Sequence, residues 1–521
     1  MPYRSHRSNY LGFILLFVAI RVLFNLLALS HFGFQRDEML HLALGDHLAW
    51  GYKEVPPFIA FIARISTLLF GSSIAAARVF TTVCSGCIIL LTGLLTVELG
   101  GKKFAIALAC LTLTFSPAFL ASGYLLQPVV FDQLWWLLSA YLLTKYFNTN
   151  EDKYLYYLGI AIGMGMLTKY TMAFFTAALI GGILLTSQRT LFAKRGIWIA
   201  VLIAIVIFLP NIIWQLTHHL PLVTHMRNLR GSQLDYIKPG DFLKQQLLVN
   251  GAALWVWLAG LGYLLLSTRM KKYRFMAFAY LFTLLLFLVL NGKIYYLFGA
   301  YPMLFAAGGF AFERLMKAKG VALRGILTAL LILPNLILFP MLLPFLPFNQ
   351  TLRVFKFAHK NMSLFDFAVT WEDHKVHPTT QDYGDMLGWD ELGQKVAKAY
   401  QSLGPDQQKQ TIIFANNYGE AGAVHHYGKQ YNLPDVVSLN SSFALWAPEH
   451  ITAKYIVYVD ETNGRNVNEM LKVNRIGHAQ KMGEITNPLA REKGTSIYIL
   501  SDLKPGLDEG YRKELLKTRS E

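Results

Sequence analysis

Apolar blocks separated by short, basic loops recur over residues 11–345 and constrain the fold more than any other feature of the sequence. Each block is roughly 20 residues long, which is the length of helix that crosses the hydrocarbon core of a bilayer. The chain of 521 residues is 54% hydrophobic and only 15% charged, whereas soluble proteins carry about 25% charged residues. We therefore expect a polytopic α-helical membrane protein with about 11 transmembrane helices.

The basic residues between the blocks predict an orientation, because cytoplasmic loops carry an excess of Lys and Arg. Arg4 and Arg7 place the N-terminus in the cytoplasm, and Arg269 and Arg314 mark later cytoplasmic loops. The chain is then a multi-pass protein of the cell inner membrane. Its net charge of +16 is explained by this topology and an anionic membrane surface, by a basic pocket for phosphate or anionic lipid, or by both. We expect no nucleic-acid partner.

The first outer loop, residues 31–72, contains two adjacent acids, Asp37 and Glu38, directly after the first apolar block. A charged carboxylate close to the hydrocarbon core of the membrane costs free energy, and such residues are usually functional. A carboxylate at the mouth of an apolar cavity could accept a proton from a hydroxyl group or bind a divalent ion. The alternative is a helix cap. Gly51-Tyr52 and Pro56-Pro57 follow in the same loop.

Cations and aromatic residues also collect at the predicted outer face. Lys293 is followed by Tyr296 and Tyr301, and Arg78 and Lys169 lie at other predicted span ends. A Lys beside aromatic rings at the membrane boundary is either an interfacial anchor or a cation for a lipid phosphate. Positive charge stabilises the negative charge that develops on a phosphate leaving group.

Two further groups remain open from the sequence. Asp132 precedes Trp135-Trp136 inside a predicted span, where it is either functional or a helix cap. The second outer loop, about 217–247, contains His218, His219 and His225. Their spacing matches no standard zinc pattern, so we expect a solvated loop.

From residue 349 onward charged and polar residues dominate, and short β-rich runs appear at Thr411–Ala415, Tyr455–Val459 and Ser496–Leu500. A helical stretch, Trp389–Leu403, lies among them. The alternation predicts a soluble α/β domain over residues 349–521, following a membrane domain over residues 1–348. The charge pattern places this domain outside the cytoplasm. Asn417-Tyr418-Gly419-Glu420-Ala421 follows the first predicted strand and is either a fold element or an anion site.

Several of these motifs together resemble the bacterial relatives of protein O-mannosyltransferases, which include the aminoarabinose-to-lipid-A transferases, within the GT-C superfamily. The resemblance is strongest in the outer loop and extends through the membrane region. Its motifs are Arg36-Asp37-Glu38, Gly51-Tyr52, Pro56-Pro57, Ala77-Arg78, Phe131-Asp132, Thr168-Lys169-Tyr170, Lys293 with Tyr296 and Tyr301, and Asn417–Ala421. One departure is Val55, where many relatives have a histidine before the proline pair.

The resemblance implies a GT-C fold and transfer of a sugar from a polyprenyl-phosphate donor on the extracytoplasmic face, usually with inversion. The acceptor would be a hydroxyl group of a lipid, a cell-envelope glycan or a protein. Asp37 would be the general base with Glu38 beside it.

For the donor phosphate, the candidates are Lys293, Arg78 and Lys169. The candidates for the substrate pocket are Tyr52, Tyr296, Tyr301 and Asp132. The sequence identifies no certain cofactor, and a divalent metal remains open. The main alternative is a transporter or flippase of lipid-linked glycans, which would show paired broken helices in corresponding halves.

Overall fold

The computed structural model describes residues 5–29, 31–316, 320–361 and 366–520. Arg4 and the side chain of Arg7, on which the predicted orientation partly rests, lie outside the described part. The chain forms two compact units. The first comprises Met1–Ser30, Arg78–Ile213 and Asn228–Phe345, and the second comprises His31–Ala77, Trp214–Arg227 and Leu346–Glu521.

The first unit is entirely helical in its described residues. Its α-helices, some of which continue beyond the unit, are Ser5–Leu27, Val79–Glu98, Lys103–Phe115, Pro117–Ser122, Pro128–Thr149, Lys153–Thr168, Thr171–Leu184, Arg195–Thr217, Pro239–Leu248, Leu254–Leu266, Arg274–Val289, Tyr301–Met316 and Val321–Leu342. Short 3-10 helices occupy Ser187–Ala193, Leu234–Tyr236, Gly251–Ala253, Thr268–Tyr273 and Ile294–Ala300.

Glycine allows close packing of helices in this unit. A Cβ atom on Gly260 would lie 2.1 Å from the Leu304 carbonyl oxygen, and one on Gly308 would lie 2.1 Å from that of Val256. The helices Leu254–Leu266 and Tyr301–Met316 therefore touch backbone to backbone. Small residues are typical of helix contacts in membranes, where no hydrophobic force drives helices together.

Six helices in the described part of the chain are long and apolar enough to cross a membrane, and eight if each of two bent pairs counts as one span. This identifies a multi-pass membrane protein. One of the other predicted spans, the block 104–123, is broken at Pro117 and divides into Lys103–Phe115 and Pro117–Ser122. A proline ends a helix by clashing with the preceding turn. The six to eight helices found in this way do not test the count of about 11 transmembrane helices, which stays a prediction.

The second unit contains a five-stranded sheet in the order β2-β1-β3-β5-β4. The strands are β1 (Thr411–Ala415), β2 (Val436–Val437), β3 (Tyr455–Asp460), β4 (Ile476–Glu484) and β5 (Ser496–Leu503). β2, β1 and β3 run parallel, whereas β5 is antiparallel to both β3 and β4. Three strands and the Trp389–Gln401 helix occur where the sequence predicts them, while β2 and β4 were not predicted.

The helices of the second unit come from three separate parts of the chain. The described ones are Arg36–Asp46, Phe58–Phe70, Ile74–Ala77, Pro221–Ser232, Phe348–Asn361, Asp366–Val369, Gln381–Gly384, Trp389–Gln401, Pro405–Gln408, Tyr418–Tyr427, Arg465–Lys472 and Pro505–Ser520, with 3-10 helices at Gly428–Tyr431 and Ser441–Leu445. The first outer loop thus belongs, by its contacts, to the same unit as the residues after 346. The predicted boundary at residue 348 had placed this loop with the membrane domain.

Candidate active site

The two adjacent acids of the outer loop have different structural roles. The helix Arg36–Asp46 begins with a capping box: the Gln35 side chain accepts a hydrogen bond from the Asp37 amide at 2.8 Å, and the Gln35 amide donates to Glu38 Oε2 at 2.9 Å. Glu38 is fully buried. Capping therefore uses Gln35 and Glu38 and leaves the Asp37 carboxylate out of the box.

The Asp37 carboxylate is half-buried and is held by a residue from the far end of the chain. The Tyr418 hydroxyl donates a hydrogen bond to Asp37 Oδ1 at 2.9 Å. The Arg36 guanidinium carbon lies 4.3 Å from the centroid of the Tyr418 ring, and Arg36 Nε lies 3.8 Å from Glu492 Oε1. Burial, followed by the charge of Asp37, raises the pKa of Tyr418 well above its usual value, so this hydroxyl remains a donor.

Close packing of two helices makes this contact possible. The helix Arg36–Asp46 lies against Tyr418–Tyr427, and a Cβ atom on Gly422 would come within 3.1 Å of the Met39 backbone. A Cβ atom on Gly419 would lie 2.5 Å from Arg36 Nε. The two glycines allow Tyr418, at the first turn of its helix, to reach Asp37.

Two more carboxyl groups, Asp382 and Asp385, interact electrostatically with Asp37. Burial raises the pKa of Asp382 to about 6, with further contributions from Asp37, Glu372 and Glu38. Burial likewise raises the pKa of Asp385 to about 7, although nearby arginines oppose the shift. Asp385 accepts hydrogen bonds from Arg491 at 3.3 Å and from the Gln35 side chain at 3.4 Å. Acids with raised pKa values in one place are typical of functional sites.

The described residues also form one group of carboxylates that could hold a metal ion. Ligand atoms of Glu420, Glu461 and Glu492 all lie within 4.8 Å of one another. The parallel strands β1 and β3 explain the proximity, because Glu420 follows the end of one and Glu461 the end of the other. Asn417 Nδ2 donates to Glu461 at 2.7 Å. This group contains neither Asp37 nor any of His218, His219 and His225.

Tyr52, a predicted pocket residue, forms hydrogen bonds within the outer loop. Its ring is almost fully buried. Its hydroxyl accepts from the Ala49 amide at 3.0 Å and lies 3.1 Å and 3.0 Å from the carbonyl oxygens of Leu44 and His47. Burial raises the pKa of Tyr52 to about 12. The side chain thus stabilises the end of the Arg36–Asp46 helix.

The predicted phosphate cations Lys169 and Lys293 lie together in the first unit. Lys169 Nζ is 4.5 Å from the centroid of the Tyr295 ring and 4.9 Å from that of Tyr296. Lys293 Nζ is 5.9 Å from the Tyr295 ring, and the two ammonium groups repel each other. Among the residues described by the structure, no carboxylate lies within ion-pairing distance of Lys169. Because the two ammonium groups repel each other, the pair is suited to bind an anion.

Asp132 is the acid nearest this pair. Its two carboxylate oxygens accept hydrogen bonds from Trp136 Nε1 at 2.9 Å and from the Thr171 hydroxyl at 2.7 Å. It is buried and interacts electrostatically with Lys169. Lys169 and Thr171 flank the break between the helices Lys153–Thr168 and Thr171–Leu184, which occurs where the sequence predicts it. Asp132 therefore supports the position of Lys169.

Arg78 and Tyr301 lie deeper in the first unit. Arg78 is fully buried, with Nη1 3.4 Å from the Ala28 carbonyl oxygen and its guanidinium 5.4 Å from the Tyr124 ring. Tyr301 is fully buried and donates to Gln246 Oε1 at 2.8 Å. Both side chains connect elements of the helical core.

Sequence reasoning missed the acids of the Gln381–Gly384 region and the link between Tyr418 and Asp37. The signal for Tyr418 was present, because Asn417–Ala421 is one of the motifs that carry the resemblance. Asp382 and Asp385 gave no signal, since a single acid in a polar domain is usually solvated.

The chain is thus a multi-pass membrane protein. Its outer loop carries the Asp37 carboxylate, which is hydrogen-bonded to Tyr418, and its helical unit carries the neighbouring cations Lys169 and Lys293. Residues 54–214 match the family model for dolichyl-phosphate-mannose-protein mannosyltransferases. The lipid A galacturonosyltransferase RgtD of Rhizobium johnstonii is 27% identical over 199 residues, which make up 37% of this chain and 41% of that protein. The match thus spans less than half the length of this relative.

Solved structures show the same fold over most of the chain. ArnT from Cupriavidus metallidurans, in a crystal structure bound to undecaprenyl phosphate, matches with a TM-score of 0.60 at 12% identity, over 94% of this chain and 98% of that one. The Archaeoglobus fulgidus oligosaccharyltransferase, in complex with Zn and sulfate, matches with a TM-score of 0.50 at 14% identity, over 87% and 69%. The resemblance to the GT-C glycosyltransferases is confirmed.

Proposed function

We propose that this chain is an integral-membrane glycosyltransferase that moves a sugar from a polyprenyl-phosphate donor to a hydroxyl group of an extracytoplasmic acceptor. The observation that carries the proposal is the Asp37 carboxylate, which is excluded from the capping box and oriented by Tyr418. A carboxylate fixed in this way, and not used for helix capping, is suited to act as a general base. The name of the matching family and the lipid bound to ArnT support a lipid-phosphate donor.

In the proposed step, Asp37 takes the proton of the acceptor hydroxyl as its oxygen attacks the anomeric carbon. The bond between that carbon and the phosphate oxygen breaks, and polyprenyl phosphate leaves with the electron pair. A single displacement inverts the anomeric configuration. The hydrogen bond from Tyr418 to Oδ1 orients the carboxylate for this proton transfer.

Lys169 and Lys293 are proposed to bind the donor phosphate. Their charges repel each other, and an incoming phosphate that contacts both ammonium groups relieves this repulsion. Stabilising negative charge that grows on a leaving group lowers the barrier. The tyrosine rings at 4.5 and 4.9 Å fix the Lys169 ammonium without cancelling its charge. Arg78, which is buried at the start of the Val79–Glu98 helix, is proposed from the resemblance either to contact the donor phosphate or to support the outer loop.

The acceptor is proposed to be a lipid, a cell-envelope glycan or a protein, because the relatives' names span lipid A and protein substrates. A divalent metal is not needed for the proposed step. The carboxylates Glu420, Glu461 and Glu492 are the group that would hold one.

The test is sugar transfer by membranes that contain the full chain, with radiolabelled polyprenyl-phosphate sugars, comparing wild type with Asp37→Asn. We expect Asp37→Asn to lose about 100-fold or more in rate, which is the typical contribution of a general base. Glu38→Gln is the matched control, since a glutamine at this position retains the capping box. A parallel assay with chelator tests the metal.

Full activity of Asp37→Asn would contradict the assignment of the base. Donor that is moved across the membrane but never consumed by wild type would instead favour a transporter of lipid-linked glycans. The comparison requires that Asp37→Asn and Glu38→Gln both melt at the wild-type temperature, so that a loss of rate is not caused by unfolding.

A further inference from the structure

A second basic site lies in the first unit and is independent of the proposed reaction. It is a cavity of about 700 Å³ whose lining includes Lys102, Lys103, Arg269, Arg314, Arg324 and Glu313. A volume of this size is typical of pockets that bind small molecules or lipid headgroups. The charge pattern of the sequence predicts that this face is cytoplasmic.

The charges of the cavity are strongly unbalanced. Among the described residues that line the cavity, five cations face one acid. This acid, Glu313, accepts hydrogen bonds from the Lys102 amide at 2.8 Å and the Ala105 amide at 3.2 Å, and so caps the helix Lys103–Phe115. In the described part of the chain, Lys102, Lys103, Arg269 and Arg314 form no ion pair. Their mutual repulsion favours a multiply charged anion in the cavity.

Two of the arginines are positioned by aromatic rings. The Arg324 guanidinium lies 4.9 Å from the Phe104 ring, and that of Arg314 lies 5.2 Å from the Phe310 ring. A ring face orients a guanidinium without cancelling its charge, and the planar fork of arginine matches a phosphate. Tyr263 and Leu315 add apolar surface to the same lining. The lining therefore combines cations with apolar side chains.

We propose that this cavity binds the phosphate headgroup of an anionic phospholipid of the cytoplasmic leaflet. Basic pockets between transmembrane helices on this side of a membrane bind such headgroups. Topology alone explains why lysine and arginine lie on this face, but it does not require cations from four separate segments to line one cavity. A soluble phosphate compound shares the same chemistry, so the experiment must separate the two sources.

The experiment uses the full chain in detergent. Its melting temperature is measured with added phosphatidylglycerol, with phosphatidylcholine and with inorganic phosphate, and bound lipid is counted by native mass spectrometry. We expect phosphatidylglycerol alone to raise the melting temperature, because a ligand that binds only the folded state stabilises it. Arg269→Gln/Arg314→Gln should weaken phosphatidylglycerol binding about tenfold or more, since each lost charge-assisted contact is a strong one.

The matched control is Arg189→Gln/Lys194→Gln, which removes two exposed cations on the same predicted face but outside the cavity. It should bind phosphatidylglycerol as wild type does. The variant Arg269→Lys/Arg314→Lys keeps both positive charges. Comparing it with the glutamine variant separates the loss of charge from misfolding as the cause of weaker binding. Equal loss in the control, equal stabilisation by phosphatidylcholine, or a full effect of inorganic phosphate would each overturn the proposal.

Discussion

Tyr418→Phe is the sharpest perturbation of the candidate active site, because it deletes one oxygen atom from the contact with Asp37. The hydroxyl donates to Asp37 Oδ1 at 2.9 Å, while the ring keeps its place under the Arg36 guanidinium at 4.3 Å. A phenylalanine ring preserves the second contact and loses the first. The variant therefore tests orientation of the carboxylate alone.

The expected magnitude follows from the kind of hydrogen bond. A hydrogen bond to a charged group contributes about 1.5–3 kcal/mol, and the half-buried Asp37 favours the lower end. Since about 1.4 kcal/mol corresponds to a factor of ten in rate, we expect kcat to fall about tenfold. KM for the donor should change little, because Tyr418 contacts the proposed base and not the donor phosphate.

The assay is sugar transfer from a polyprenyl-phosphate donor by the purified full chain. Tyr511→Phe is the control, since its hydroxyl donates to the Pro448 carbonyl in the same unit and the substitution has the same chemistry. It should reduce stability by about 1 kcal/mol and leave kcat unchanged.

A double-mutant cycle completes the test. In the Asp37→Asn background, Tyr418→Phe should cause little further loss, because residues that act as a unit are not additive. If Tyr418→Phe reduces the residual rate of Asp37→Asn by the same tenfold factor, Tyr418 does not act through Asp37 and the reasoning fails.

Three further outcomes are expected. Glu38→Ala should lower the free energy of unfolding by about 1 kcal/mol through loss of the capping box, measured by denaturant titration; equal stability of Glu38→Ala and Glu38→Gln would contradict the capping role. Lys169→Gln should raise KM for the donor about tenfold with little change in melting temperature, and Lys194→Gln, an exposed lysine, is its control; an unchanged KM removes Lys169 from the phosphate site. Burial raises the pKa of Asp382 to about 6, above the value of about 3.9 for an unfolded chain, so the folded state binds this proton more tightly. Stability should therefore fall as pH rises from about 4 to about 6, and Asp382→Asn should flatten that decline in melting temperature; an unchanged pH profile would contradict it.

Much of the helical architecture was readable from the sequence because a bilayer imposes its own length on each apolar block. The break at Lys169 and Tyr170 and the strands β1, β3 and β5 were found from local signals. β4 was missed because its sequence, Ile476–Glu484, is mostly polar and partly exposed. β2 has only two residues, too few for a pattern.

The sequence also predicted that the two acids of the outer loop are important, but it did not predict that Asp37 and Glu38 have different structural roles. Adjacent acids are equivalent in a sequence, and only the backbone geometry decides that Glu38 completes the cap while Asp37 stays outside it. The sequence placed Lys169 and Lys293 only on the same predicted face of the membrane, and the structure shows that both ammonium groups lie near the Tyr295 ring.

The sequence by itself determined that the chain is a membrane protein and indicated the outer loop as its reactive region. It could do so because hydropathy, charge and an isolated pair of acids are local properties. Only the tertiary structure decided the partner of Asp37. Tyr418 is 381 residues away along the chain, and its hydroxyl reaches the carboxylate because glycines let two helices touch. A contact between distant segments depends on the packing of whole elements, which no local pattern records.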